Sequence, residues 1–588
     1  MTTAVFNKVD YVLEHLLNGI ELGTISLPDI QRPFVWKPAK VRDLFDSMYQ
    51  GFPVGYLLFW KNDTAEAAKA IGVDIKQKPP ELLIVDGQQR LTSLFAVMGG
   101  KPIVWEDYSE RRIQIAFNPV HEVFEVADAA IRNDAEYIAD ISQLWIGGLG
   151  EFQFVRHYLE ELRKHHDIDQ HEETGIADAI SHLHALKKYP FTALELDASL
   201  DEEKVAEVFV RVNSQGVTLN QADFILTLMS VFWEKGRVQL EDFCRAARVP
   251  AASGPSPFNY FITPSPDQLL RVGVGVAFKR GRLKNAYNVL RGKDMESGEF
   301  SAERRVEQFE LLAQAQDVAV DLTNWHEFMK CLMAAGYASG AVISSENALL
   351  YTYVLYLLGR QEYGVDHANL RTAIGRWFFM SALTGRYTNS PETRIEEDLA
   401  RLRGASSASD FLAALDGQVS GALTNDYWDI QLPNELATSA SRGPSLFAFY
   451  AAQRLLDAPV LYSNLHVAEL LDPAIKAKKS ALERHHLFPR AYLKSQEIRS
   501  IRETNQIANF TLVEWTDNID ILDEPPSSYV PDYERKVLGK PDGEKQLRRM
   551  YDLHALPPGW AEMEYLAFLE ARRSLMAAVI RRGYERIA

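Results

Sequence analysis

Apolar positions along this chain follow two periods, and the places where the period changes mark the elements. The spacing predicts a helix from Asp10 to Asn18, then an extended stretch held open by Pro28, Pro33 and Pro38. A helix comes next at Ala39–Tyr49, and Gly51 and Gly55 lead into a strand at Tyr56–Trp60. Leu82–Val85 reads as a buried strand, Asp86–Gly87 as a tight turn and Gln88–Met98 as an amphipathic helix. Strand-like runs recur at Pro102–Trp105, Arg112–Phe117 and Phe191–Leu196, among helical patterns at Glu151–Lys164, Asp178–Lys188, Val205–Asn213 and Asn220–Trp233.

Val249–Pro266 is dense in Pro, Ser and Gly and reads as a loop or boundary. Beyond it the helical period dominates to about Asp416, at Glu303–Ala315, Asn324–Ala335, Leu349–Leu358 and Leu370–Leu383, and returns at Phe447–Leu456. A short β-prone run at Leu512–Val513, a Pro-rich turn and helices near Glu544–Met550 and Ala561–Arg581 complete the pattern. The expected fold class is α+β, multidomain and mostly helical, with a small mixed-sheet domain over 1–247, a helical middle over 248–440 and a C-terminal domain over 441–588.

Composition narrows the function classes. Apolar residues make up 47% and charged residues 24% of the 588 positions, as in soluble globular proteins. The net charge of −17 repels nucleic acid, so any such contact needs a local basic surface. Ala474–Met550 comes nearest, with 14 Lys and Arg against 12 Asp and Glu. The two cysteines, Cys244 and Cys331, rule out a disulfide framework and a four-cysteine zinc knuckle, and a cytoplasmic location is expected. The first residues lack a signal-peptide core and no uncharged apolar run reaches 18 residues, so no membrane partner is expected.

Two stretches carry candidate chemistry. Asp86, Gly87, Gln88, Gln89 and Arg90 lie where a strand turns into a helix, a place whose free amides and dipole suit an anion. Asp86 followed by Gln89 also approaches a capping box, which explains the pair without a ligand. Gln31 and Arg32 sit in the extended Pro-rich stretch, where an arginine fork can reach a phosphate or carboxylate. No GxxxxGK[ST] is present, so a nucleotide site is not a P-loop. His165, His166 and His171 read as a solvated helix end.

The second stretch is Glu483–Asp520, with His485 and His486 adjacent, Pro489 just after, and Asn509 and Asn518 nine positions apart. A neutral imidazole suits deprotonation of water near neutral pH, and a divalent ion on one imidazole and one amide suits a charged leaving oxygen. Neighbouring strand residues face opposite ways, so the two histidines can divide these roles if the backbone bends. A histidine pair in a surface loop with two turn asparagines is the plainer reading.

HHLFP, then NFTL and a further Asn, resembles the HNH (ββα-metal) nuclease motif. The resemblance implies His485 and Asn518 as metal ligands for Mg²⁺ or Mn²⁺, His486 as general base and Asn509 as the residue that orients it through the loop backbone. The insert before Asn509 is longer than in minimal members, and Asn505 competes for that place. PDIQRPFVW, GFPVGYLLFW, VDGQQRLTSL and FVRVNSQGVTLNQAD, in that order, resemble the N-terminal domain of the GmrSD family of modification-dependent (type IV) restriction enzymes. That resemblance implies a ParB/sulfiredoxin-like domain that binds and turns over nucleoside triphosphate through Asp86, Gly87, Gln88, Gln89 and Arg90, with Gln31 and Arg32. It implies a nuclease that cuts modified phage DNA in antiviral defence, with a homodimer left open. A nucleotide-switched ParB-like sensor with an inactive nuclease tail, or an HNH nuclease acting on RNA, are the alternatives.

Overall fold

Five short strands near the N-terminus share one mixed sheet, and most of the remaining described chain is helical. In this computed structural model the described residues are 5–26, 34, 36–61, 81–105, 109–198, 200, 204–205, 208, 221–293, 301–474, 484–514 and 524–587. They divide into two compact units, Met1–Asn220 with Thr227–Phe232, and Gln221–Leu226 with Trp233–Ala588.

In the first unit the sheet runs β1 (Phe6–Val12), β9 (Pro190–Leu196), β3 (Leu57–Lys61), β4 (Leu82–Asp86), β2 (Ile25–Ser26). β1 and β9 are antiparallel, β9 and β3 parallel, β3 and β4 antiparallel, β4 and β2 parallel. β1 corrects the sequence reading: residues 10–12 are strand, and α1 is Leu13–Leu22. The reason is tertiary. β1 pairs along its whole length with β9, from Phe6 opposite Leu196 to Val12 opposite Pro190, and that pairing overrides the local helical period.

Helices α1, α2 (Pro38–Tyr49) and α3 (Gln88–Met98) share one apolar core with Phe59, Ile84 and Ala193 from the sheet. Leu58, Leu196 and Val205 form a smaller cluster. Of the run expected as one strand over 112–117, only residues 115–117 are strand, in β7 (Ile115–Asn118), paired with β8 (Val123–Val126); β6 (Glu110–Arg111), paired with β5 (Ile103–Val104), precedes it. The histidines near residue 165 sit where expected, on an exposed surface before a helix that Asp169 and Glu172 cap reciprocally.

The second unit is built around the helix Glu346–Gln361, buried from Ala348 to Gly359 without a polar face, as a central helix must be. Helices Pro266–Phe278 and His367–Leu383 pack against it. The last helix, Tyr565–Glu585, meets Pro444–Leu455 so closely that a Cβ on Gly583 would lie 2.4 Å from that of Ala452. Between those two helices in sequence lies a hairpin of β10 (Arg484–His486) and β11 (Phe510–Leu512). The helix Pro526–Leu538 occupies the stretch expected as a Pro-rich turn, with Pro526 at its first turn, where the missing N–H costs nothing.

Behind the hairpin, His554 is fully buried and both ring nitrogens are engaged. Nε2 lies 2.8 Å from the Pro459 carbonyl, which can only accept, so Nδ1 is the acceptor of the Thr511 hydroxyl at 2.7 Å. Burial, with the Arg572 charge nearby, pushes its pKa from 6.5 down to about 4. The imidazole is therefore neutral in the fold while the unfolded chain takes up a proton below pH 6.5. Stability should fall as pH drops from 6.5 and level off below about 4, a loss of about 3 kcal/mol. Urea denaturation at a series of pH values checks this, and His554→Gln should lack that share of the acid loss.

Candidate functional site

The β4–α3 turn forms because Gly87 adopts φ 94°, a left-handed conformation open to glycine at little cost. A Cβ there would also lie 2.3 Å from Leu57 Cδ2, so the position is closed to larger residues on two grounds. Gly87, with no side chain, occupies the N-cap, and Asp86 ends the strand instead. The capping box suggested by Asp86 and Gln89 is therefore not formed. Gln88 and Gln89 open the helix, whose first amides and positive dipole end face the turn.

Arg90 grips the neighbouring loop. Its Nη1 donates to the Val54 carbonyl at 2.6 Å and Nη2 to the Tyr56 carbonyl at 2.7 Å, while Asp86 stands 3.6 Å away. Gly55, at φ 93°, lets the loop wrap the guanidinium: a Cβ there would be 2.5 Å from Nη1. Burial lowers the Arg90 pKa, partly offset by Asp86. The fork thus fixes the loop between α2 and β3, and Phe52 and Tyr56 of that loop remain exposed. Gln31 and Arg32 lie outside the described residues.

In the second unit the hairpin register sets His485 opposite Thr511 and His486 opposite Phe510. His485 is 5% exposed and its ring meets Tyr529 edge-on at 6.1 Å. Tyr529 lies on the helix Pro526–Leu538 and donates to the Leu487 carbonyl at 2.7 Å, so two strands and a helix enclose this side. His486 is half-buried against Phe510, ring centroids 4.4 Å apart, and its Nε2 lies 3.1 Å from Asn505 Oδ1. With that oxygen as acceptor, Nε2 carries the proton and Nδ1 keeps its lone pair. Burial lowers the His486 pKa, the Asn505 contact opposes this, and the positive charge of Arg490 lowers it further.

Asn509 is fully buried and faces the loop backbone. Its Oδ1 accepts from Phe488 N at 2.9 Å, and its Nδ2 donates to the Phe488 and Thr504 carbonyls, both at 3.0 Å. Leu487 N also donates to the Asn509 carbonyl at 2.8 Å. The two asparagines that competed in the sequence therefore hold different things: Asn509 the loop after the histidines, Asn505 the imidazole itself. Asn518 lies outside the described residues, which contain no group of three or more His, Cys, Asp or Glu suited to a metal. Of the pair expected to hold a metal, His485 and Asn518, only His485 is among the described residues.

Three residues near the hairpin escaped the sequence reading. Arg572, His554 and Tyr529 come from 17 or more positions beyond the strands, and no short motif signals them.

Residues 13–230 match the family model of the GmrSD restriction endonuclease N-terminal domain. An uncharacterised protein of Methanocaldococcus jannaschii, MJ0686, is 20% identical over 536 residues, covering 86% of this chain and 84% of its own length. The match to the family model points to a nuclease of the restriction-endonuclease type, with DNA as its partner. Among the described residues no helix is long and apolar enough to cross a membrane.

Removing the Arg90 side chain leaves the Val54 and Tyr56 carbonyls without their donors, at a cost of about 1–3 kcal/mol. Arg90→Ala should speed amide exchange in residues 52–56 relative to the rest of the sheet, measured by hydrogen–deuterium exchange. Unchanged exchange there would show that the fork does not fix the loop.

Proposed function

We propose that this chain is a metal-dependent DNA endonuclease of the type IV restriction kind. Its hydrolytic centre is an HNH site at His485 and His486, governed by nucleoside triphosphate bound at the β4–α3 turn. The observation that carries the reading is the pair of grips on the His486 loop: Asn509 ties its backbone and Asn505 its imidazole, leaving Nδ1 as a base. Two strands with a helix laid over His485 also support this reading.

Hydrolysis here requires a proton to leave water as its oxygen attacks phosphorus. Nδ1 of His486 takes that proton, the new P–O bond forms, and the opposite P–O bond breaks, with the leaving oxygen protonated from solvent. Asn505 holds the ring by its Nε2–H throughout, and burial keeps the imidazole neutral and ready to accept. Lewis-acid stabilisation of the leaving oxygen is the chemistry that Mg²⁺ or Mn²⁺, held by His485 and Asn518, supplies when bound. In the first unit Asp86, Gly87, Gln88 and Gln89, with Gln31 and Arg32, receive the triphosphate at the helix N-terminus, and Arg90 shapes the wall of that site by fixing residues 54–56. Triphosphate turnover there gates cutting, which protects host DNA while phage DNA with modified bases or backbone is cleaved.

His486→Ala should lower cleavage of modified phage DNA by roughly 10²–10⁴-fold and leave nucleotide turnover intact. Because the His486 pKa is lowered in the fold, the base stays neutral below pH 6.5, so the acid limb of the pH–rate profile should lie below 6.5 at saturating metal. Wild-type cleavage by His486→Ala would sink the assignment. Binding without nicking by the wild type, across both metals and all triphosphates, would make the chain a sensor instead.

A further inference from the structure

Apart from Asn505, the segment between His486 and Asn509 has no assigned role, yet it is a basic stretch in an acidic chain. In the helical bundle several cations meet carboxylates, as in Arg280–Glu396, Arg271–Glu392, Lys279–Glu362 and Arg386–Asp398, and others meet tyrosine hydroxyls or a carbonyl, as Arg376 and Arg454 do. On the insert, Arg490, Lys494, Arg499 and Arg502 are all exposed, and none has an ion pair among the described residues. Only Glu497 and Glu503 share that stretch.

Their placement is directed. Arg490 and Lys494 are four positions apart on the helix Arg490–Ser495 and so lie on one face. Arg490 opens that helix one residue after Pro489, close enough for its charge to act on the His486 ring. Arg502 lies in the turn Ile501–Thr504, three positions before Asn505, the residue that holds His486 Nε2, so the two are neighbours on one side of that turn. Arg499 lies in the link between these two helical pieces. The insert is fixed from below by Tyr565, which donates to the Glu503 carbonyl at 2.7 Å, and by Arg573, which donates to Gln506 Oε1 at 2.9 Å.

A net charge of −17 works against nucleic acid at long range, so four unmatched cations flanking the base are the kind of local surface that a polyanion requires. We propose that the insert 490–505 is the DNA-gripping surface of the nuclease, with Arg490, Lys494, Arg499 and Arg502 on backbone phosphates at either side of the bond cut at His486. This rests on the endonuclease reading and extends it. Contacts to phosphate position the duplex and carry no base information, so modified and unmodified DNA should feel this surface alike.

The test is the salt dependence of binding. Full-length protein with His486→Ala, which prevents cutting, is titrated with a fluorescent duplex of about 30 base pairs from 50 to 200 mM salt. The variant that also carries R490Q, K494Q, R499Q and R502Q should lose a slope of about 3 to 4 in log K against log salt. Each single change should weaken binding by roughly tenfold at 0.1 M salt, and R490K should restore most of the slope. R548Q, which removes an exposed cation paired with Glu544, should leave the slope unchanged. Circular dichroism melts confirm that the exposed substitutions fold. An unchanged slope in the fourfold variant overturns the proposal, as does a slope loss seen with structured RNA and not with DNA. A chain that never cuts but shows the slope loss would keep this surface and remove the nuclease assignment, so the two failures are told apart.

Discussion

The hairpin that bears both histidines hangs from one buried guanidinium. Arg572 is 0% exposed, and its described partners are carbonyls rather than a carboxylate. Nη1 donates to Ala508 O at 2.6 Å and Phe510 O at 2.8 Å, while Nε and Nη2 both reach His554 O. Burial lowers its pKa to about 9, so it remains charged near neutral pH. A buried charge of this kind costs several kcal/mol unless every donor is met, so it survives only where backbone oxygens are held ready for it. Those oxygens belong to the turn before β11, to β11 itself and to the end of the helix Gly543–Leu553. The same last helix reaches the bundle through Tyr584, which packs on Phe379 and Trp428 and accepts from Arg376. One helix thus sets the hairpin against the rigid part of its unit.

The same device recurs at a smaller scale. Arg90 and Asn509 each belong to a motif that reads as chemistry, and each serves the backbone of a loop. Arg90 ties two carbonyls on either side of Gly55, and Asn509 satisfies both the N–H and the C=O of Phe488. A loop at a site must place ligand-facing groups to within a fraction of an ångström, and its own backbone groups cannot all pair with one another. A polar side chain that closes them is therefore as necessary as the residue that does the chemistry.

Electrostatics divides the second unit. In the bundle, opposite charges meet across helices, as Arg271 meets Glu392 and Arg280 meets Glu396, while the four cations of the insert beside His486 form no ion pair among the described residues. Half-burying the imidazole against Phe510, with the Arg490 charge nearby, favours its neutral form despite the opposing Asn505 contact. The arrangement that would attract phosphate also readies the base.

Sequence alone determined the local facts. The turn at Asp86–Gly87 was legible because few residues tolerate a left-handed φ, and the helix at Gln88–Met98 because its apolar period is unbroken. The adjacent histidines were legible too, and the β10–β11 register places His485 opposite Thr511 and His486 opposite Phe510. Tertiary structure decided the rest. Residues 10–12 became strand because β9, nearly 180 positions away, offers a full ladder of partners that no local window contains. Arg90 came to tie the carbonyls of its neighbouring loop, Asn505 and Asn509 were given separate tasks, and His554 and Arg572 came to lie behind the hairpin, because long-range burial leaves polar groups that must find partners wherever the fold brings them. Patterns of a few residues follow from backbone sterics and period; which side chain satisfies which buried group depends on the whole chain being in place.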